Sequence, residues 1–235
     1  MELSFRIGPN TYEVPQQISV GVFERAIVWD IEQEKNIDPF VATIVGCPIG
    51  ALHKLDAEIY EFIKGVCLQR AQITHGEFHE AIDGYELQYF DKFTFANFID
   101  LDVYISKGVG QNLTKIVSMI YNVPEEICEN WDCQKIWKAV ETVANWRKAV
   151  YTEYEEFFEL ADQREASDEA KESNIGLMWF EATIALADED FYKIHQVVER
   201  PYRECLNYLT WKKAKYQKEK LENLRRKNDI QRSTR

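Results

Sequence analysis

Over residues 131–160, WDCQKIWKAVETVANWRKAVYTEYEEFFEL, apolar side chains return every three, four or seven positions with no Gly or Pro between them. Ile136, Val140, Val143, Ala144, Val150, Tyr154 and Phe157 therefore share one face of a predicted helix. At a rise of about 1.5 Å per residue such a helix would be roughly 45 Å long, enough to cross a domain. Trp131, Trp137 and Trp146 add apolar area that one helix cannot hide, so other elements must cover it. The remaining chain reads as elements arranged around this spine.

Upstream, Leu3, Phe5 and Ile7 alternate with polar neighbours, Gly8-Pro9-Asn10 supplies a turn, and 11–14 return as a second strand that stops at Pro15. That is a hairpin pattern. Ser19 stands at an N-cap position ahead of Val20, Phe23, Ile27 and Ile31 on one helical face. Asp38-Pro39 opens a second helix, with Asp38 as cap and Pro39 at the first helical position, ending near Gly46. Residues 47–50 read as a loop. Leu55, Ile59, Phe62, Ile63 and Val66 then define a third helix. These elements make a first lobe, 1–73. The segment 74–84 is largely polar and reads as a linker.

Tyr85, Leu87 and Tyr89 alternate as a short strand entering a second, helical lobe, 85–210. Thr94 caps a helix on which Phe95, Phe98, Ile99 and Leu101 point inward. Leu113, Ile116, Val117 and Ile120 form another, which Pro124 ends. Beyond the spine, 161–174 is charged and free of large hydrophobes, a solvated connection. A helical run follows at 175–187, and Asp188 is expected to cap Phe191, Ile194 and Val198. After Pro201, Tyr202, Leu206, Leu209 and Tyr216 give the last helix an apolar stripe, and Trp211 falls off it toward a partner. The fold class is mainly α (α+β): a hairpin-plus-helix lobe, a helical lobe with a long central helix, and a basic C-terminal helix or tail, 211–235.

Charge sharpens this picture. The chain of 235 residues carries a net −12, but 199–235 hold 12 Lys and Arg against 5 Asp and Glu. The preceding 198 residues hold 16 against 35, so an acidic body ends in a basic helix. An acidic body disfavours nucleic acid as a partner of the whole surface. Lys212, Lys213, Lys215, Lys218, Lys220, Arg225, Arg226 and Lys227 include several on one face. They suit phosphates less well than an acidic protein surface, for which Leu209, Tyr216, Leu221 and Leu224 are apolar anchors, or than a plain solvated helix end, where cations oppose the helix dipole.

Candidate chemistry is sparse. The five cysteines contain no C-x-x-C pair and are expected as buried thiols. His75 and His79 are spaced for one metal, but a third ligand is not identifiable, so a solvated segment is expected and no metal or cofactor. Asp100 and Asp102, two apart on a helix, face different sides and do not form a catalytic pair. There is no G-x-S-x-G, H-E-x-x-H, phosphate loop or dinucleotide fingerprint, and the expectation is a non-enzyme. The opening MELSFRIGPN lacks a basic and apolar leader pattern, and no run of about 18 apolar residues exists to span a membrane.

The opening FRIGPNTYEVPQQISVGVFERAIVWDIE resembles the start of small tail-morphogenesis proteins of tailed bacteriophages. The block YELQYFDKFTFANFIDLDVYI and the ending RPYRECLNYLTWKKAKYQKEK are similar to tail-assembly chaperones. The resemblance implies a non-catalytic protein in the host cytoplasm that binds tail or baseplate subunits, or alternatively a component retained in the virion tail. On that basis Trp146, Phe158, Trp179, Leu209 and Tyr216, with Lys212, Lys213, Arg225 and Arg226, are the expected partner-binding residues.

Overall fold

A computed structural model describes residues 3–27, 37–71, 77–162 and 168–233, with side chains described for 3–27, 37–71, 77–158 and 175–226. Ile31, His75 and residues 163–167 lie outside the described residues. The described chain is mainly helical, with twelve helices and two small antiparallel sheets. Packing groups it into two units, each discontinuous in sequence: Met1–Gln88 with Tyr104–Asn145, and Tyr89–Val103 with Trp146–Arg235. The reading from sequence divides the chain at 74–84 instead.

In the first unit, β1 (Leu3–Ile7) pairs with β2 (Asn10–Val14), and Ile7 faces Asn10 across the turn. Gly8 takes the left-handed φ of +59° that this tight reversal requires. Helix α1 (Val20–Ile27) starts at Ser19, whose Oγ accepts from the Val22 N–H at 3.4 Å. Its first turn is bonded to the segment before the spine: Val20 N–H donates to Trp131 C=O at 2.8 Å and Gly21 N–H to Glu129 C=O at 2.9 Å. A Cβ on Gly21 would meet Glu129 Cβ at 3.2 Å, so glycine permits the approach.

Helix α2 (Asp38–Val45) ends at Gly46, at φ +70°, with the Cys47 N–H returning to Ala42 C=O. Asp38 is not its side-chain cap. Its carboxylate instead accepts from the Tyr60 hydroxyl and lies 2.7 Å from His53 Nε2. The expected loop 47–50 contains the start of a one-turn helix, α3 (Ile49–Leu52), because Leu52 finds a buried site. Helix α4 (Ala57–Ala71) buries Ile63 and Cys67 but leaves Ile59 and Phe62 exposed, a rotation from the expected face. Arg70 donates to the Val14 C=O at 2.9 Å and ties this helix to the end of β2.

The strand expected from Tyr85 to Tyr89 is only β4 (Tyr85–Glu86), paired with β3 (Ala81–Ile82) inside the segment read as a linker. Tyr121 OH donates to His79 C=O at 2.8 Å, and the Trp131 ring lies edge-on to Tyr121. Helix α5 (Phe95–Ser106) runs from the second unit into the first. Helices α6 (Leu113–Tyr121) and α7 (Glu125–Cys128) follow. Leu113, Ile116, Val117 and Ile120 are all buried. Glu24 of α1 accepts from the Thr114 N–H at 3.0 Å and from its hydroxyl, capping α6 from another helix.

The spine is two helices, α8 (Cys133–Glu153) and α9 (Glu155–Asp162). Bonding tightens at Tyr154, whose C=O accepts from the Phe157 N–H at 2.9 Å, while its hydroxyl donates to Asn207 at 3.1 Å. In the second unit α10 (Asp168–Leu186) begins within the expected solvated connection, and α11 (Ile194–Val198) and α12 (Tyr202–Ser233) complete the chain. Asp190, not Asp188, caps the turn before α11, accepting from the Tyr192 N–H at 3.0 Å. Asp188 and Glu189 take positive φ of 52° and 60° at the reversal. Thr94 caps α5 through the Asn97 N–H at 3.2 Å. Phe95 N–H donates to Arg200 C=O at 2.7 Å, joining the start of α5 to the start of α12.

Candidate functional site

Two arrays in the second unit combine charge with aromatic rings. One is closed. Asp102 sits seven residues after Phe95 and four after Phe98, on the inward face of α5, and is 1% exposed. Trp179 Nε1 of α10 donates to its Oδ2 at 2.7 Å, and Arg147 Nε of α8 to its Oδ1 at 2.5 Å. The Tyr151 hydroxyl lies 3.0 Å from both carboxylate oxygens. The Arg147 guanidinium stands 4.5 Å from the Tyr151 ring centroid, and Tyr151 stacks on Phe158 at 3.8 Å. Burial, then the neighbouring carboxylate, pushes the Tyr151 hydroxyl above its ordinary pKa. Burial pulls the Arg147 guanidinium down, but Asp102 and Tyr151 outweigh it and hold its pKa above the usual value.

This network answers the cost of burying a carboxylate: charge-assisted donors from three side chains meet it. Phe95, Phe98, Phe157 and Phe158 surround Trp179 on its other sides. The arrangement braces α5, α8 and α10 against one another. Its signal in sequence is an aspartate at core spacing within the apolar run FANFIDLDVYI, which demands a buried donor.

The other array is open. On α12, positions 206, 209, 213, 216, 220 and 223 follow the alternating three- and four-residue spacing of a coiled-coil seam. Leu206 and Leu209 are buried against the unit, together with Tyr202. Lys213 is half-buried, and its Nζ is enclosed without a hydrogen-bond partner. From Ala214 to Arg226 every described side chain is exposed, Tyr216 at 66%. Tyr216, Glu219, Lys220, Asn223 and Leu224 bound a shallow hollow along this face.

The expected partner-binding residues therefore divide. Trp179, Phe158 and Leu209 are buried, and Trp146 is half-buried among Phe90, Phe93, Phe98 and Tyr202. Of the four aromatics expected to form one surface only Tyr216 is exposed, because the others fill the core of their own unit. Lys212 donates to Ala185 C=O at 2.8 Å and lies 3.8 Å from Asp188, closing the end of α10. Arg225 and Arg226 are exposed on the outer part of α12. Trp211, 54% exposed, packs on Tyr208 and carries Lys215 over its ring at 5.3 Å.

Among the described residues no group of three or more His, Cys, Asp or Glu is placed to hold a metal ion, and no helix is long and apolar enough to cross a membrane. The His75–His79 spacing includes His75, which lies outside the described residues. No family model, curated protein or solved structure matches this chain.

Proposed function

We propose that this chain is a non-catalytic protein-binding factor in bacteriophage tail morphogenesis, acting in the host cytoplasm on tail or baseplate subunits. The observation that carries the binding role is the outer half of α12, which continues a packed stripe from Leu206 and Leu209 to exposed Tyr216 and Leu224. An apolar and aromatic stripe at helical spacing suits helix-in-groove recognition. The basic residues beside it favour an acidic protein surface and speed the encounter. The setting in tail assembly rests on the sequence resemblance.

The test follows the protein through assembly in the producing cells, with mass spectrometry of tail precursors and of finished particles, and a photo-crosslinker at Tyr216. A chaperone is expected in precursors, crosslinked to a tail subunit, and missing from particles. A stoichiometric signal in particles would make it a retained component. Absence from both would remove the tail-assembly reading.

A further inference from the structure

We infer that the partner of α12 is an acidic helix carrying carboxylates at seven-residue spacing along its own seam, and that the two pair as a heterotypic coiled coil. This rests on the protein-binding reading above and specifies the chemistry of the partner. The seam of α12 alternates two kinds of level. Positions 209, 216 and 223 hold Leu, Tyr and Asn, and positions 206, 213 and 220 hold Leu, Lys and Lys, with Lys227 next in the same register. The first level of each kind is closed by the unit itself and Lys213 is partly closed, while 216, 220 and 223 are exposed. From 213 onward a cation recurs every seventh residue on the face where a coiled coil places its knobs.

That pattern selects its occupant. A second copy of α12 would set lysine against lysine in the seam or beside it, and between 211 and 226 it would bring together two segments that each hold seven Lys and Arg and two Glu. Like charges at a seam oppose pairing. A nucleic acid would satisfy the lysines but leave Tyr216 and Leu224 in water, since phosphates offer no apolar groove. An acidic helix with Leu or Ile opposite 216, Asn opposite 223 and Glu opposite 220 satisfies both levels along the exposed turns. Lys213, half-buried with its ammonium enclosed, marks where the unit's own cover ends, and Lys220 is the first fully exposed cation of the seam. Asn223, polar at an otherwise apolar level, would fix the register, as a single seam asparagine does.

The experiment uses the full chain and a fluorescein-labelled four-heptad helical peptide whose seam alternates Leu and Glu, read by anisotropy. Saturable binding is expected to weaken by about tenfold or more in the Lys213→Glu/Lys220→Glu variant, which should instead take a peptide with Leu and Lys at the seam. Circular dichroism of the variant checks that the helix persists. Equal binding of a composition-matched peptide with scrambled spacing would overturn the seam, leaving only diffuse charge attraction. Concentration-dependent dimerisation of the chain, or capture of duplex DNA in place of the peptide, would overturn the choice of partner. If Tyr216 crosslinks to a tail subunit while the peptide does not bind, the acidic seam is wrong and the assembly role stands. If neither occurs, both fall.

Discussion

The Asp102 array and the outer half of α12 use the same ingredients, cations beside aromatic rings, to opposite ends. Around Asp102 the chain supplies the counterion itself: Arg147, Tyr151 and Trp179 converge on one carboxylate, and aromatic rings seal it. On α12 the rings of Tyr216 and Trp211 and the ammonium groups of Lys213, Lys215 and Lys220 are present without a converging carboxylate from another described element. A complete array closes a core. An array that lacks its anion remains a surface in search of one. The difference separates residues that hold the molecule together from those available to a partner, although both sets look alike in composition.

Mutations should break this contrast unequally. Asp102→Ala removes the buried carboxylate that meets Arg147 and leaves the buried Trp179 N–H without its acceptor, and should cost about 3 kcal/mol or more in urea unfolding. Leu206→Ala, at a fully buried seam position, is expected to cost about 2–4 kcal/mol by the same measurement. Tyr216→Ala, ten residues further along the same helix, should change stability by less than about 0.5 kcal/mol while abolishing capture of the partner. A comparable stability loss at both positions would mean that the outer half of α12 is packed like the inner half.

The thiols provide a milder test of closure. Burial pushes Cys67, Cys128 and Cys133 up to about 12 and Cys205 to about 11, from an ordinary 9. All five cysteines should resist iodoacetamide at pH 8 until the chain is unfolded, as read by intact mass. Between the ordinary value and these raised ones the unfolded chain loses protons that the folded chain keeps, so stability should fall as pH rises above about 9. The smallest effect is at Asp38. The Tyr60 hydroxyl bond holds its carboxyl below the usual range, so its contribution is present above the ordinary carboxylate pKa and is lost as pH falls through the lowered one. Asp38→Asn should flatten the acid limb of the stability curve slightly.

What could be read in the sequence depended on how local the governing physics was. The hairpin at Gly8-Pro9, the caps at Ser19 and Thr94, and the buried face of Leu113, Ile116, Val117 and Ile120 are set by neighbours within a turn. They appear as the pattern predicts. The break at Tyr154 was not legible, because it goes with a hydroxyl bond to Asn207, 53 residues away. Asp38 and Asp188 look like caps in sequence, but Tyr60 and His53 engage the first and a left-handed reversal takes the second. The aromatic surface was misread for a similar reason. Trp146, Phe158 and Trp179 have helical spacing suitable for either core or surface, and only the elements opposite decide between them. Asp102 carried a readable signal at its core spacing, yet its partners lie on two other helices.

Helix α12 is one continuous rod whose inner turns are clamped and whose described outer side chains, 214–226, are all exposed. Most helical stability comes from packing of a buried face, so the exposed outer turns open far more often than the inner ones. Deuterium should therefore enter the amides in order from the far end inward, as a gradient with no step at any sequence boundary. A bound helix would convert that gradient into a plateau, and the last protected amide would mark how far the partner reaches.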